Sequence, residues 1–336
     1  MCCATVLFAT GCATSHLEEF NEVIMGGAAP ADSPDAPPPE DGDVIEIDGD
    51  VASLTSLGGD RLAVGLEAPP RLLVGEITPD GDWDESTSIE LPESAGLVGR
   101  ADDGSVAVPF DDGVVLVSGD GEERTIPGLG VVTAAIELDD GRILTGDEEG
   151  AVTVRAADGE ELNSLTGLEA VDQFVVGDGE VLAVSRVDTT VAHIDPDGDF
   201  ADPILRAGKA AGLASADPSG AAAVSDSTGD AVMVFDIDPL RMHQWFPVAA
   251  TPWGVATDFA EGMLWVTTTE DNRILGYDLS SGLGEQRADV QTVAQPNSVV
   301  VTESGTLVVG SAAGGGLHVV TPELAPAEWQ PGQQAP

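Results

Sequence analysis

The chain has 336 residues and a mass of 34.2 kDa, enough for one large domain or two ordinary ones. Twelve basic residues stand against 60 acidic ones, a formal charge of −48; this excludes nucleic acid as a partner and leaves an anionic bilayer surface to repel the chain. Hydrophobic residues make up 42% but aromatics only 4%, so a core must be built from Val, Leu, Ile and Ala.

The cysteines are Cys2, Cys3 and Cys12, and none follows, so the rest of the chain has no disulfide or thiol chemistry. Residues 1–11 are apolar but too few to span a bilayer as a helix; they read as the end of a secretory signal. The run Leu7-Phe8-Ala9-Thr10-Gly11-Cys12 resembles a bacterial lipobox, with Cys12 as the lipidated residue. No Lys or Arg precedes Arg61, so the true start is expected upstream of Met1. Residues 1–12 are thus read as a signal remnant and 13–43 as a flexible tether rich in Pro, Ala and Asp. The tether is most biased over 26–43, a composition that cannot bury a core. The predicted location is the outer face of the cell membrane, with contact to the membrane only through the lipid anchor. Residues 326–336 are a similar tail.

From residue 44 to 325 a hairpin-like unit recurs: an apolar strand, a turn containing Gly, then a second apolar strand. Taking the turns at positions 60, 104, 141, 179, 220, 262 and 305, the spacing is 37 to 44 residues. A third strand follows each turn by about ten residues, as in Arg71-Leu72-Leu73-Val74 and Ala231-Val232-Met233-Val234-Phe235. Several third strands lead into Asp-Gly turns, such as Asp80-Gly81 and Asp158-Gly159, whose positive φ angles suit tight hairpins. A fourth strand follows, as in Ser88-Ile89-Glu90-Leu91. Seven units of about forty residues predict an all-β chain, a seven-bladed β-propeller. The seventh unit ends after its third strand, near Pro322. Its fourth strand is predicted to be Val44-Ile45-Glu46-Ile47, so that the two ends of the domain pair, close the ring and remove the open edge.

The later units carry a more specific pattern. Thr251-Pro252-Trp253-Gly254-Val255-Ala256, followed by Leu264-Trp265-Val266-Thr267, resembles the YVTN-type propeller repeat of YncE-like proteins. Asp217-Pro218-Ser219-Gly220, Asp236-Ile237-Asp238-Pro239-Leu240, Gly276-Tyr277-Asp278-Leu279 and Gln295-Pro296-Asn297-Ser298 resemble LppL-type lipoproteins of mycobacteria and related actinobacteria. The resemblance implies an exported, lipid-anchored propeller and implies no particular activity.

Ligands of propellers meet the face where the blade-to-blade loops converge with the loops between second and third strands. Those loops offer Trp253, Asn297, Asp111, Asp147, Asp188, Asp226 and Asp271 as a candidate ligand face. Their acidity is only modestly above the chain average, and turns favour Asp in any protein. Their functional reading is a negative potential that draws a basic or cationic partner. Trp253, before Gly254, reads either as inter-blade packing or as a stacking platform. Asp195-Pro196-Asp197-Gly198-Asp199 and Asp41-Gly42-Asp43 invite a calcium reading, Ca2+ being a hard cation that takes carboxylates, but neither has EF-hand spacing. No cofactor is otherwise predicted. His16, His193, His243 and His318 are scattered, and no nucleophile-elbow motif is present. The leading expectation is a non-catalytic interaction module that binds a cell-envelope protein or a basic ligand. The alternative is a metal-assisted enzyme, lactonase- or lyase-like, acting on a small metabolite. Carboxylates or Asn side chains converging in the central channel would favour that alternative; a channel of Val, Ala and Leu would favour the module.

Overall fold

The computed structural model describes residues 25–101, 104–118, 121–258 and 262–321. Cys12, the signal remnant, the first part of the tether and the tail lie outside the described residues. All regular structure is β, in seven antiparallel four-stranded sheets. The fold is the seven-bladed β-propeller that the repeat predicts. Strand β1 (Asp43–Ile45) comes first. Blade 1 is β2 (Val51–Gly58), β3 (Arg61–Leu66), β4 (Arg71–Ile77) and β5 (Trp83–Glu90). Blade 2 is β6 (Gly99–Arg100), β7 (Val106–Phe110), β8 (Gly113–Val117) and β9 (Glu123–Pro127). Blade 3 is β10 (Ala134–Glu137), β11 (Ile143–Gly146), β12 (Val152–Arg155) and β13 (Glu161–Leu165). Blade 4 is β14 (Gln173–Gly177), β15 (Glu180–Ser185), β16 (Thr190–Ile194) and β17 (Ile204–Arg206). Blade 5 is β18 (Ala211–Ala216), β19 (Ala221–Asp226), β20 (Ala231–Asp236) and β21 (Arg241–Pro247). Blade 6 is β22 (Pro252–Asp258), β23 (Met263–Thr268), β24 (Arg273–Asp278) and β25 (Glu285–Gln291). Blade 7 takes β26 (Pro296–Val301), β27 (Leu307–Ser311) and β28 (Leu317–Val320), with β1 as its outer strand.

Burial follows strand position. The second and third strands of each blade are nearly continuous runs of Val, Leu, Ile and Ala because both faces are covered by neighbouring blades; β3 and β19 are buried almost throughout. The outer strands alternate or are exposed, as in β5 and β21. The core is therefore divided: seven buried clusters, one at each blade-to-blade interface. Between blades 5 and 6 it carries the ring pair Phe246–Tyr277, 5.0 Å apart and tilted by 42°. Burial pushes the Tyr277 hydroxyl up to about 12, with the charge of Asp289 adding to it.

The closing interface joins blade 7 to blade 1. Strand β1 pairs antiparallel with β28, Val44 facing His318 and Ile45 facing Leu317. It begins one residue earlier and is one residue shorter than the predicted Val44–Ile47: the pairing with β28 covers Asp43, Val44 and Ile45, and Glu46 and Ile47 lie outside it. Ile45 and Ile47 pack against the cluster of Val51, Leu62, Val308, Leu317 and Val319. Gly310 makes the approach possible: a Cβ there would lie 2.5 Å from Val51 Cγ1 and 2.6 Å from Ser298 Oγ.

Candidate functional site

The ring has two faces. The turns between first and second strands and between third and fourth strands form one, the turn face. The loops between second and third strands and the blade-to-blade loops form the other, the loop face, and all seven predicted ligand-face residues lie on it.

They do not share one environment. Asp111, with its neighbour Asp112, is exposed on blade 2. The next blade presents Glu148 and Glu149, both exposed, beside Asp147, whose Oδ1 accepts from the backbone N–H groups of Glu149 and Ala151 at 3.0 and 2.9 Å. Asp188 accepts from Thr190 Oγ1 at 2.9 Å. Asp226 is 3% exposed, and its carboxylate accepts the backbone N–H groups of Lys209, Ala210 and Gly229 at 2.8–2.9 Å. It ties the blade 4–5 connection to the loop that follows β19. Asp271 is exposed and accepts from Thr268 Oγ1. Trp253 is 5% exposed, its ring lies over Gly212 of blade 5, and its carbonyl accepts from Ser225 Oγ at 2.7 Å. This is the packing arrangement. Asn297 accepts from Gln295 Nε2 at 3.1 Å.

Two sectors result. Blades 2 and 3 present the adjacent exposed pairs Asp111/Asp112 and Glu148/Glu149. Among the described residues none of these four is ion-paired, whereas seven arginines are, each to an Asp or Glu. Seven of the eleven arginines are thus paired to other carboxylates, and the four carboxylates of this sector are exposed.

The other sector, from blade 4 to blade 7, is crossed by the chain itself. Residues 25–37, predicted as free tether, carry no regular secondary structure and are hydrogen-bonded to the loop face. Gly26 N–H donates to Lys209 O at 2.8 Å and Gly27 N–H to Arg186 O at 3.0 Å. Further on, Thr269, Gln295, Asn272 and Gln291 hold residues 31, 33, 34 and 37. Sequence reasoning missed these holding residues. They are polar side chains on two neighbouring loops and at the end of β25, with no motif to mark them.

The central channel has a volume of about 880 Å³ and opens toward the turn face. Its wall alternates Val98, Val175, Val255 and Val300 with Ser53, Thr55, Ser215 and Thr257. Several polar groups there lace neighbouring inner strands together. Gln173 makes a two-way amide pair with the backbone of Ala214, both contacts 2.9 Å. Thr55 Oγ1 donates to Val98 O at 3.1 Å, and Ser215 and Thr257 share a hydroxyl contact at 3.1 Å. Asp217, Asp258 and Glu303 sit at the mouth, on different blades. Among the described residues no three His, Cys, Asp or Glu side chains are grouped to hold a metal ion.

A second cavity, about 510 Å³, lies between blades 3 and 4 on the turn face. There His193 Nε2 is 2.7 Å from Glu180 Oε2, and Arg142 bridges Asp140 and Asp197, both at 2.7 Å. A backbone N–H bond from Arg142, with its guanidinium, holds Asp140 below the usual carboxylate range against a small desolvation. Asp197 belongs to the turn considered for calcium. Its carboxylate goes to Arg142, and Asp195 Oδ1 accepts the Asp197 N–H at 3.0 Å. In the other such turn, Asp41 O accepts from His318 Nε2 at 2.7 Å. His318 is fully buried, and its Nδ1 accepts from Thr292 Oγ1 at 2.9 Å. Desolvation holds its pKa below the ordinary imidazole value, against the raising pull of the Asp41 carbonyl and the Asp41 and Asp43 charges.

No protein-family model matches the sequence, and no curated protein matches it. Solved structures do match. Kuenenia stuttgartiensis hydrazine synthase aligns with 83% of this chain and 98% of its own, at 14% identity and a TM-score of 0.66. A chain of the mitotic checkpoint complex aligns with 88% and 98%, at 16% identity and 0.65. The WD40 β-propeller domain of Doa1 aligns with 82% and 94%, at 14% identity and 0.63. At these identities the likeness shows the fold alone: this chain is built as a β-propeller.

Proposed function

We propose that this protein is a non-catalytic binding module, exported and lipid-anchored through Cys12 at the outer face of the cell membrane. Its acidic sector on blades 2 and 3 captures a basic segment of another envelope protein or a cationic ligand. The observation that carries the reading is the row Asp111, Asp112, Glu148 and Glu149, exposed on adjacent loops and in no ion pair among the described residues, while seven arginines pair with other carboxylates. Such a cluster on a net charge of −48 attracts cations over a Debye length and speeds encounter. The propeller likeness supports it by analogy; the checkpoint complex is by name an assembly. The lipobox-like run supports the anchor.

The test is a fluorescence-anisotropy titration of the full chain with labelled deca-lysine at about 50 and about 300 mM NaCl. Saturable binding that weakens about tenfold at the higher salt, and at least about fivefold in the variant D111N/D112N/E148Q/E149Q, is the expected result. Binding that ignores the four substitutions contradicts the assignment of the sector. The anchor is tested separately by detergent-phase partitioning of wild type and Cys12→Ser from a lipoprotein-processing host: wild type should enter the detergent phase and the variant should stay aqueous.

A further inference from the structure

The covered sector carries a second site, independent of the acidic one. Exposure alternates from residue 25 to 30 and again from 31 to 33, with Pro30 and Ala31 both half-buried where the phase shifts. The grip is made where blades 6 and 7 meet. Gln295 treats the segment as a neighbouring strand would: its Nε2 donates to Ala31 O at 2.9 Å and its Oε1 accepts Ser33 N–H at 3.1 Å. Thr269 Oγ1 accepts Ala31 N–H at 2.8 Å, and Asn272 Nδ2 donates to Pro34 O at 2.8 Å. With the segment seated, Thr269 is fully buried and Asn272 is 3% exposed, so the segment covers the polar groups that hold it.

Most of these bonds go to backbone and read no side chain. Selectivity comes from two positions. Ser33 Oγ donates to Thr269 O at 2.7 Å and accepts Gln295 N–H at 3.0 Å, so the position needs a hydroxyl. Pro34 follows, biasing Ser33 toward the extended region. Asp32 and Asp35 point outward and are exposed. At the entry, Gly26 has φ +85°, and a Cβ there would run into Val187 O.

We infer that the Thr269–Asn272–Gln295 cleft is a recognition site for a peptide that carries Ser-Pro two residues after a backbone-held position. Residues 31–37 are its resident ligand in cis, and the cleft accepts the same sequence in trans when that segment is displaced. The chain's own segment seated there is the evidence for the ligand's chemistry. In cis it competes at millimolar effective concentration, so the cleft is masked in the resting chain.

The experiment uses the full chain with residues 28–38 replaced by a Gly-Ser run of equal length, and a labelled peptide of residues 28–38. The replaced chain should bind the peptide saturably, and wild type about tenfold or more weakly because its own segment competes. A Ser33→Ala peptide, or Gln295→Ala in the replaced chain, should each weaken binding about tenfold. No saturation by about 1 mM peptide, or binding unchanged by Gln295→Ala, overturns the inference. Should the replaced chain not fold, amide hydrogen exchange on wild type and Gln295→Ala decides. Protection of Ala31 and Ser33, lost in the variant while β3 and β19 stay protected, supports the site; unprotected Ala31 and Ser33 in wild type overturns it. Deca-lysine binding at blades 2 and 3 reads the other site and is untouched by Gln295→Ala, so the two proposals fail separately.

Discussion

At the scale of single residues, this protein spends its carboxylates on architecture as much as on its surface. Asp226 was legible as an acid in a loop between second and third strands, which is why it reads as a ligand-face residue. What the sequence does not display is that three backbone N–H groups converge on it. Asp226→Ala should therefore lower the unfolding free energy by about 2–4 kcal/mol, measured by urea titration, whereas Asp111→Ala should change it by less than about 0.5 kcal/mol. His318 makes the second residue-scale prediction. Its folded pKa is depressed by burial, so the unfolded chain binds the proton more readily. The stability of the neutral imidazole is fully present above the unfolded value near 6.5. It is lost as pH falls from there toward the lower folded pKa, at up to about 1.4 kcal/mol per pH unit. Urea unfolding between about pH 5 and pH 7.5 should show this loss in wild type and not in His318→Gln. Trp253 was legible as an aromatic beside Gly254, with packing and stacking both open. Gly212, whose missing side chain makes room for the indole, is what decides for packing.

At the scale of elements, the repeat was readable because turn chemistry is local. Gly at positions 104, 141, 179, 220, 262 and 305 has positive φ, a conformation that glycine takes at no steric cost. The strand runs between these turns had to be buried on both faces, which Val, Leu and Ala composition announces. The seated segment was not readable, for the opposite reason. It has little apolar surface, and its attachment is a set of hydrogen bonds between residues more than 230 positions apart. Proline- and alanine-rich composition is then the same for a free linker and a seated one. The closing strand tests the architecture. Because Ile45 and Ile47 pack against the blade 7–blade 1 cluster, Ile45→Ala with Ile47→Ala should cost about 2–4 kcal/mol together. Removing residues through 48 should also expose the edge of β28, and size-exclusion chromatography should then show concentration-dependent association.

At the scale of the whole molecule, a charge of −48 on a closed ring is a standing self-repulsion. Raising NaCl from about 20 to about 500 mM should raise the thermal midpoint steadily as that repulsion is screened. Calcium or magnesium at matched ionic strength should add nothing further. An extra shift of many degrees with one ion would reveal a preformed site by linkage, and would move weight to the metal-assisted reading. Seven separate inter-blade clusters and one closing strand make the ring stiff, so the loop face acts as a fixed platform with a masked sector and an open one.

Binding of a cationic partner at the open sector on blades 2 and 3 can be followed by residue-resolved amide NMR of the full chain during titration with deca-lysine. Chemical-shift changes should be concentrated at Asp111, Asp112, Glu148 and Glu149 and their neighbours, with Ala31 and Ser33 of the seated segment unmoved. Changes spread evenly around the ring, or gathered at the channel mouth beside Asp217, Asp258 and Glu303, would contradict binding at the open sector.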